Sequence, residues 1–331
     1  MKTVNIKKRV MCIAALGTLL GLTLNAGAQS RAPFPAKAVT LVVPFTPGSG
    51  SDTIARLVGP LLATKWGQPV VVDNKPGASG NLGTQAVART EPDGHTLLMA
   101  ISVHTMTPAV YRNQTYDALR DFAPVTKLAE ANFVLAVHPS LPVQNVNSLI
   151  ALIRKQPGRL NYASPGNGTP HHLAMELFKE THGLFVVHVP YRGIANATSD
   201  LIGGQVQMMF GSVPSLHTQI QAGRLKALAV TGGSRSELLP EVATFREQGF
   251  PAMDAIDAWY AVLAPARTPA DLVERLNRDF VEVINRPEVK TELNKQGLRI
   301  STGTPAQLAT LIASDVARWQ AVVKRSGITA D

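Results

Sequence analysis

Val39-Thr40-Leu41-Val42-Val43-Pro44-Phe45-Thr46-Pro47-Gly48-Ser49-Gly50-Ser51-Asp52 begins as a run of apolar and β-branched residues and ends as a Gly/Pro-rich loop. The first five residues read as a buried strand. Two prolines bend the path and remove backbone donors, and two glycines permit close backbone approach. Beyond the loop, Ile54, Leu57, Val58, Leu61 and Leu62 recur with the spacing of one helix face. Ser51 and Asp52 both suit the helix N-cap. The loop is therefore expected at the carboxyl end of a strand and at the positive end of a helix. Backbone N–H groups pointing out of such a turn suit an anion such as a carboxylate.

Working outward, strands and helices alternate. Residues 70–73 read as a short strand, 74–81 as a second Gly/Pro loop and 82–89 as a helix, with a strand at 96–101. A less regular stretch follows. Then come a strand at 133–137, a helix at 146–155 and a strand at 160–163. This strand leads into Ser164-Pro165-Gly166-Asn167-Gly168-Thr169-Pro170 and a helix over 171–181. A strand at 186–189 precedes Pro190-Tyr191-Arg192-Gly193 and a helix ending at Ile202. A strand at 206–210, a helix near 216–222 and a strand at 227–231 continue the pattern. The C-terminal part reads as helices over 269–284, 287–296 and 305–324, each with proline in its first turn. Alternation of this kind predicts an α/β protein with mainly parallel sheets flanked by helices. A Gly-rich strand-to-helix loop in each half predicts two lobes facing one cleft, the geometry of a hinge-closing binding protein.

The first 28 residues read as a secretory signal. Lys2, Lys7, Lys8 and Arg9 precede an apolar segment, and Ala26-Gly27-Ala28 is an A-x-A cleavage site, so the mature chain is expected to start at Gln29. The apolar segment is short for a membrane anchor. The single cysteine, Cys12, lies inside this signal, which leaves the mature chain without disulfide or thiol nucleophile. The leader carries four basic residues and no acidic one, so it accounts for four of the +9 net charges and leaves +5. The remaining basic residues are scattered and are not interleaved with aromatics, which speaks against nucleic acid.

Enzyme motifs are missing from the sequence. It has no Gly-x-Ser-x-Gly elbow, no Walker lysine motif and no His-Glu-x-x-His pair. His172 and Glu176 share a helical face without a further metal ligand at matching spacing, so no metal is expected. The G-x-G pieces do not complete a dinucleotide fingerprint, so no cofactor is expected.

The ordered set of motifs resembles a known family. Its parts are Pro44-Phe45-x-Pro47-Gly48-x-x-x-Asp52, Gly67-Gln68-Pro69-Val70-Val71-Val72, Asn74-x-Pro76-Gly77-Ala78-x-Gly80-Asn81 and Pro92-Asp93-Gly94-x-Thr96-Leu97-Leu98. Ser164-x-Gly166-x-Gly168-Thr169-x-x-His172-Leu173, Val189-Pro190-Tyr191-Arg192-Gly193 and Asp200-Leu201-x-Gly203-Gly204-Gln205-Val206 complete it. The whole mature chain looks like the substrate-binding receptors of tripartite tricarboxylate transporters, the Bug or TctC family of periplasmic solute-binding proteins.

The resemblance implies a two-lobed periplasmic-binding-protein-like fold that captures a small carboxylated molecule and passes it to a permease of one large and one small subunit. It implies lobes of 29–130 plus 257–331, and of 131–256. Carried over to this sequence, the ligand-binding set is Phe45, Thr46, Gly48, Ser49 and Gly50 from the first loop, Ser102 and Thr105 after the third strand, and Ser164, Gly166, Gly168 and Thr169 from the second loop. Tyr191, Arg192 and Asp200 complete it. Ser49 stands where many relatives carry a second glycine, so the ligand pose does not transfer directly. Read as residues, Asp52 suits a cap or brace, Thr169 suits both a cap and a contact, and Asp200 suits a brace of the Tyr191 loop. Arg192 suits either a carboxylate clamp or a solvated surface charge. A monomer is expected, because a closing cleft needs free lobes. Two other functions stay open: a periplasmic hydrolase using Ser or His near the cleft, and a receptor feeding a sensor protein.

Overall fold

The computed structural model describes residues 34–111 and 115–327. The expected signal segment lies outside them. Strand β1 (Val39–Val43) is buried at every position but Thr40. It lies between β2 (Val70–Asn74) and β3 (Thr96–Ile101), parallel to both. Strand β9 (Asp257–Pro265) runs antiparallel to β3 and to the first part of β4 (Phe122–Val137). From Phe133 onward β4 pairs with β7 (Met208–Ser212) and β8 (Lys226–Val230), both antiparallel. Strand β5 (Asn161–Ser164) lies parallel to β6 (Val187–Pro190) and β7, and β10 (Arg299–Ile300) joins β4 at Ala129 and Glu130. The path β2-β1-β3-β9-β4-β7-β5-β6 therefore comprises two sheets that share β4. The pairing is parallel at β1–β3 and β5–β7, where the Gly-rich loops leave, and antiparallel at the centre.

Ten α-helices cover the sheets among the described residues. In α1 (Gly50–Trp66), Ile54, Val58 and Leu62 are fully buried, while Leu57 and Leu61 are half-buried. Helices α2 (Asn81–Ala88), α3 (Val103–Val110) and α4 (Val146–Lys155) come next, followed by α5 (Pro170–His182), α6 (Ile194–Ile202) and α7 (Val213–Gln221). The C-terminal helices are α8 (Ala270–Ile284), α9 (Pro287–Lys295) and α10 (Pro305–Ser326).

The cores follow strand alternation. Along the end of β4, Val134 and Ala136 pack with Ala163, Leu201 and Met209. Phe133, Leu135 and Val137 point the other way, onto Tyr162, Phe178, Phe210 and Phe245. Helix α10 also serves two cores. Leu308, Ile312 and Val316 pack with Val42, Leu98 and Ala261, and Trp319, Val322 and Val323 join the Phe178–Phe245 cluster. Each fully buried side chain of this kind contributes about 1.5–3 kcal/mol. Two indole donors are met by buried acids: Trp259 Nε1 donates to Asp315 at 2.8 Å and Trp66 Nε1 to Asp279 at 2.8 Å.

Four elements depart from the sequence reading. The less regular stretch contains α3 and the first eleven residues of β4, and β9 and β10 lie where the sequence pattern predicts no strand. Helix α3 is rich in β-branched residues and contains Pro108, so its helicity comes from burial, with six of its eight residues buried. In β4, Pro124 and the charged Lys127 and Glu130 mask the strand pattern, and the register shifts at Pro124/Thr126 and Lys127/Ala129 absorb them.

Candidate functional site

The first loop leaves β1 and turns into α1. Ser49, not Ser51 or Asp52, is the N-cap. Its extended backbone (φ −69°, ψ 158°) is ordinary for a serine, and its Oγ accepts the Asp52 N–H at 3.4 Å. Asp52 lies inside the first turn and holds the loop from within. Its carboxylate accepts the Gly48 N–H at 2.9 Å, Arg56 Nε at 2.9 Å and Asn74 Nδ2 at 3.0 Å. Asn74 also donates to the Phe45 carbonyl. Burial alone would raise the Asp52 pKa, but Arg56, Gly48 and Asn74 together hold it below the usual carboxylate value. With Gly48 committed to this brace, the N–H groups of Gly50 and Ser51 stay without a hydrogen-bond partner among the described residues. They belong to the first turn of a seventeen-residue helix, whose N–H groups have no partner within the helix.

The second loop repeats the arrangement between β5 and α5. Thr169 is the N-cap and accepts the His172 N–H, while its own hydroxyl donates to the Gly166 carbonyl at 2.8 Å. Gly166 N–H is spent on Ser164 Oγ, and Gly168 N–H on His172 Nδ1 at 3.1 Å. Pro170 has no N–H, so His171 carries the outward-facing donor of this turn, unpartnered among the described residues. Behind the loop, Ser164 Oγ lies 2.7 Å from His188 Nε2, and the His188 ring stacks on His172 with centroids 3.9 Å apart. His172 and His188 are both driven to a pKa of about 4, mainly by burial. Tyr162 and Lys179 close the cluster on Glu176.

The remaining expected residues divide by environment. Phe45 is half-buried and Thr46 is exposed. Ser102 and Thr105 are buried, with the Thr105 hydroxyl donating to the Ser102 carbonyl inside α3. Tyr191 donates to Asp200 at 2.7 Å, a brace that ties the loop after β6 to α6. Burial and Asp200 push the Tyr191 phenol up to about 12. Arg192 is exposed and has no ion-pair partner among the described residues. The two loops are linked through α3, which starts next to Ser102 and ends at Val110, against Gly168. Its eight residues span about 12 Å.

The sequence reading missed one candidate donor, Tyr260. It lies on β9, and its hydroxyl would stand 2.5 Å from a Cβ placed on Gly50, right beside the open N–H groups of α1. Burial pushes this phenol up to about 12, so it is a neutral donor at pH 7. Its hydroxyl has no hydrogen-bond partner among the described residues. The alternation of Trp259, Ala261 and Leu263 with Tyr260 and Val262 is a strand pattern, and reading it would have brought Tyr260 to the carboxyl edge. Among the described residues, no cluster of three or more His, Cys, Asp or Glu groups suits a metal.

Two sheets sharing one strand, with helix N-termini opening at the carboxyl edges of their parallel strands, define a two-lobed periplasmic-binding-protein fold. The chain belongs to the tripartite tricarboxylate transporter family receptors, whose family model matches residues 54–328. It is 38% identical over 318 residues to the UPF0065 protein of the tcbD-tcbE intergenic region in Pseudomonas sp. strain P51, covering 96% of this chain and 94% of that one. A solved structure of R. palustris Rpa4515 with adipate is 35% identical, with TM-score 0.76 over 89% of this chain and 99% of that one. MatC from Rhodopseudomonas palustris with bound malate is 30% identical, with TM-score 0.73 over 88% and 100%. The fold and family are those of substrate-binding receptors.

Proposed function

We propose that this protein is a periplasmic receptor that captures a small carboxylated metabolite and delivers it to a tripartite tricarboxylate transporter permease of one large and one small subunit. The observation that carries this reading is the pair of strand-to-helix loops whose outward N–H groups, on Gly50, Ser51 and His171, are left open. A carboxylate docks on the α1 turn next to the Tyr260 hydroxyl. The second loop, from Ser164 to Thr169, then closes over it with the Tyr191–Asp200 brace behind. Closure excludes water and strengthens each hydrogen bond. Backbone donors carry the charge recognition, so few charged side chains are needed. The adipate and malate of the two solved relatives are consistent with a dicarboxylate as ligand.

The lobes in this reading are 29–130 plus 257–331, and 131–256, joined where β4 passes from one sheet to the other. Residues 1–28 direct export and are removed. Mass spectrometry of periplasmic extract, expected to show a chain starting at Gln29, checks this.

The hydrolase alternative has one feature in its favour, the Ser164–His188 contact at 2.7 Å. Ser164 is 0% exposed, however, and its hydroxyl is enclosed by its own loop, which disfavours a nucleophile.

A thermal-shift screen of residues 29–331 against mono-, di- and tricarboxylates tests the proposal. A ligand at 100 times its Kd is expected to stabilise by about 2.7 kcal/mol, without being consumed. Turnover of the bound compound, or the absence of any carboxylate ligand, would overturn it.

A further inference from the structure

The carboxyl edge of β1, β2 and β3 also holds a small pocket that the helix termini do not use. Phe45, Gly80, Ile101, Val103 and His104 line it, and its volume is about 10 Å³. That is near the threshold for a single water-sized group. The lining is mostly apolar, which excludes a charged end group. Three hydroxyls at its wall are already engaged: Ser79 lies 2.9 Å from the Tyr111 hydroxyl, Thr84 donates to the Gly80 carbonyl at 2.8 Å and Tyr116 to Asn81 at 2.9 Å.

His104 differs. It is 4% exposed, and its Nε2 lies 3.1 Å from the Ala118 carbonyl. A carbonyl only accepts, so Nε2 carries the ring proton. Burial drives the pKa to about 4, so the ring is neutral at pH 7. Nδ1 is then a bare acceptor. It is buried and lacks a partner among the described residues. A buried acceptor in this state calls for a donor. Water would supply one, but so would a ligand hydroxyl entering past Phe45, whose ring packs on Gly80 with Cζ 3.0 Å from a Cβ placed there.

We propose that His104 Nδ1 selects hydroxylated carboxylates, accepting a hydrogen bond from a ligand hydroxyl in the pocket behind Phe45. This rests on the receptor reading above. It adds a preference that the backbone donors of the two loops do not provide, because they contact only the carboxylate. An amino group is a weaker candidate, since its ammonium form would be desolvated against apolar walls.

The test uses matched ligand pairs that differ by one hydroxyl: malate with succinate, citrate with tricarballylate, and 3-hydroxybutyrate with butyrate. Calorimetry on residues 29–331 is expected to show the hydroxylated member binding at least tenfold more tightly in at least one pair. In His104→Phe this ratio is expected to fall to threefold or less. As a check that needs no variant, the Nδ1 nitrogen resonance of His104 in the wild-type protein should move with the hydroxylated ligand and not with its partner. Equal affinity within every pair that binds, or an unchanged ratio in His104→Phe, overturns the hydroxyl preference and leaves the receptor reading standing. A liganded crystal structure with only an ordered water on Nδ1 does the same. If none of the six compounds binds, the receptor reading loses its support and the preference falls with it.

Discussion

Gly168 lies so close to Val110 that a Cβ on the glycine would stand 2.4 Å from Val110 Cγ1. Its φ of +68° adds a backbone conformation that side chains disfavour. Gly48 shares the positive φ, at +83°, but has open space around it. Gly168→Ala is therefore expected to cost roughly 2–4 kcal/mol, and Gly48→Ala only about 1–2 kcal/mol. Urea unfolding at pH 7 measures both. Combining Gly168→Ala with Val110→Ala should cost less than the sum of the single changes. Equal costs for the two glycines would show that the Val110 contact is not felt.

Four histidines, His104, His171, His172 and His188, have pKa values lowered from 6.5 to about 4, each chiefly by burial. Their folded state disfavours the proton that the unfolded chain takes up near pH 6.5. The stability they allow is thus complete above pH 6.5 and declines as pH falls toward 4. Urea midpoints at pH 7, 6 and 5 should decrease in order. A flat profile would mean that these rings accept protons in place, contrary to the acceptor role of His172 toward Gly168.

Asp52 acts in a lower window. Its folded pKa lies below that of an ordinary aspartate in the unfolded chain, so its contribution is present above the unfolded value and lost as the solution is acidified further. Asp52→Ala strips acceptors from Gly48 and Asn74 and is expected to cost about 1–3 kcal/mol. It should also weaken carboxylate binding by releasing the loop. Retained stability together with retained affinity would count against the brace.

Tyr191→Phe removes the hydroxyl that binds Asp200 and is expected to cost about 0.5–1.5 kcal/mol. Arg192→Ala, at an exposed and unpaired site, should change stability by no more than about 0.5 kcal/mol. Thermal melts separate the two. An Arg192→Ala loss as large as that of Tyr191→Phe would reveal a structural role for this arginine.

The sequence carried the parallel halves well, because β1, β2 and β3 are short, mainly apolar runs, β1, β2 and β5 lead into Gly/Pro loops, and α5, α8, α9 and α10 each begin next to a proline. What it concealed lies between those halves. Helix α3 is held by burial against its own propensities, and β4 carries Pro124, Lys127 and Glu130 inside a sixteen-residue strand. Local pattern cannot register partners far away in sequence. The site follows the same division. Both loops were recognisable, but which N–H groups stay open depends on Asp52 closing onto Gly48 and His172 onto Gly168. Tyr260 was hidden because its strand was.

The shared strand β4 has a consequence for how this protein can be divided. Its first eleven residues are paired in one sheet and its last five in the other, and α10 likewise serves two cores. No single cut in the gene would yield two self-sufficient fragments, since either product would carry an unpaired strand edge and an uncovered apolar face. Recombination could exchange loops between relatives, but the halves themselves have to be inherited together.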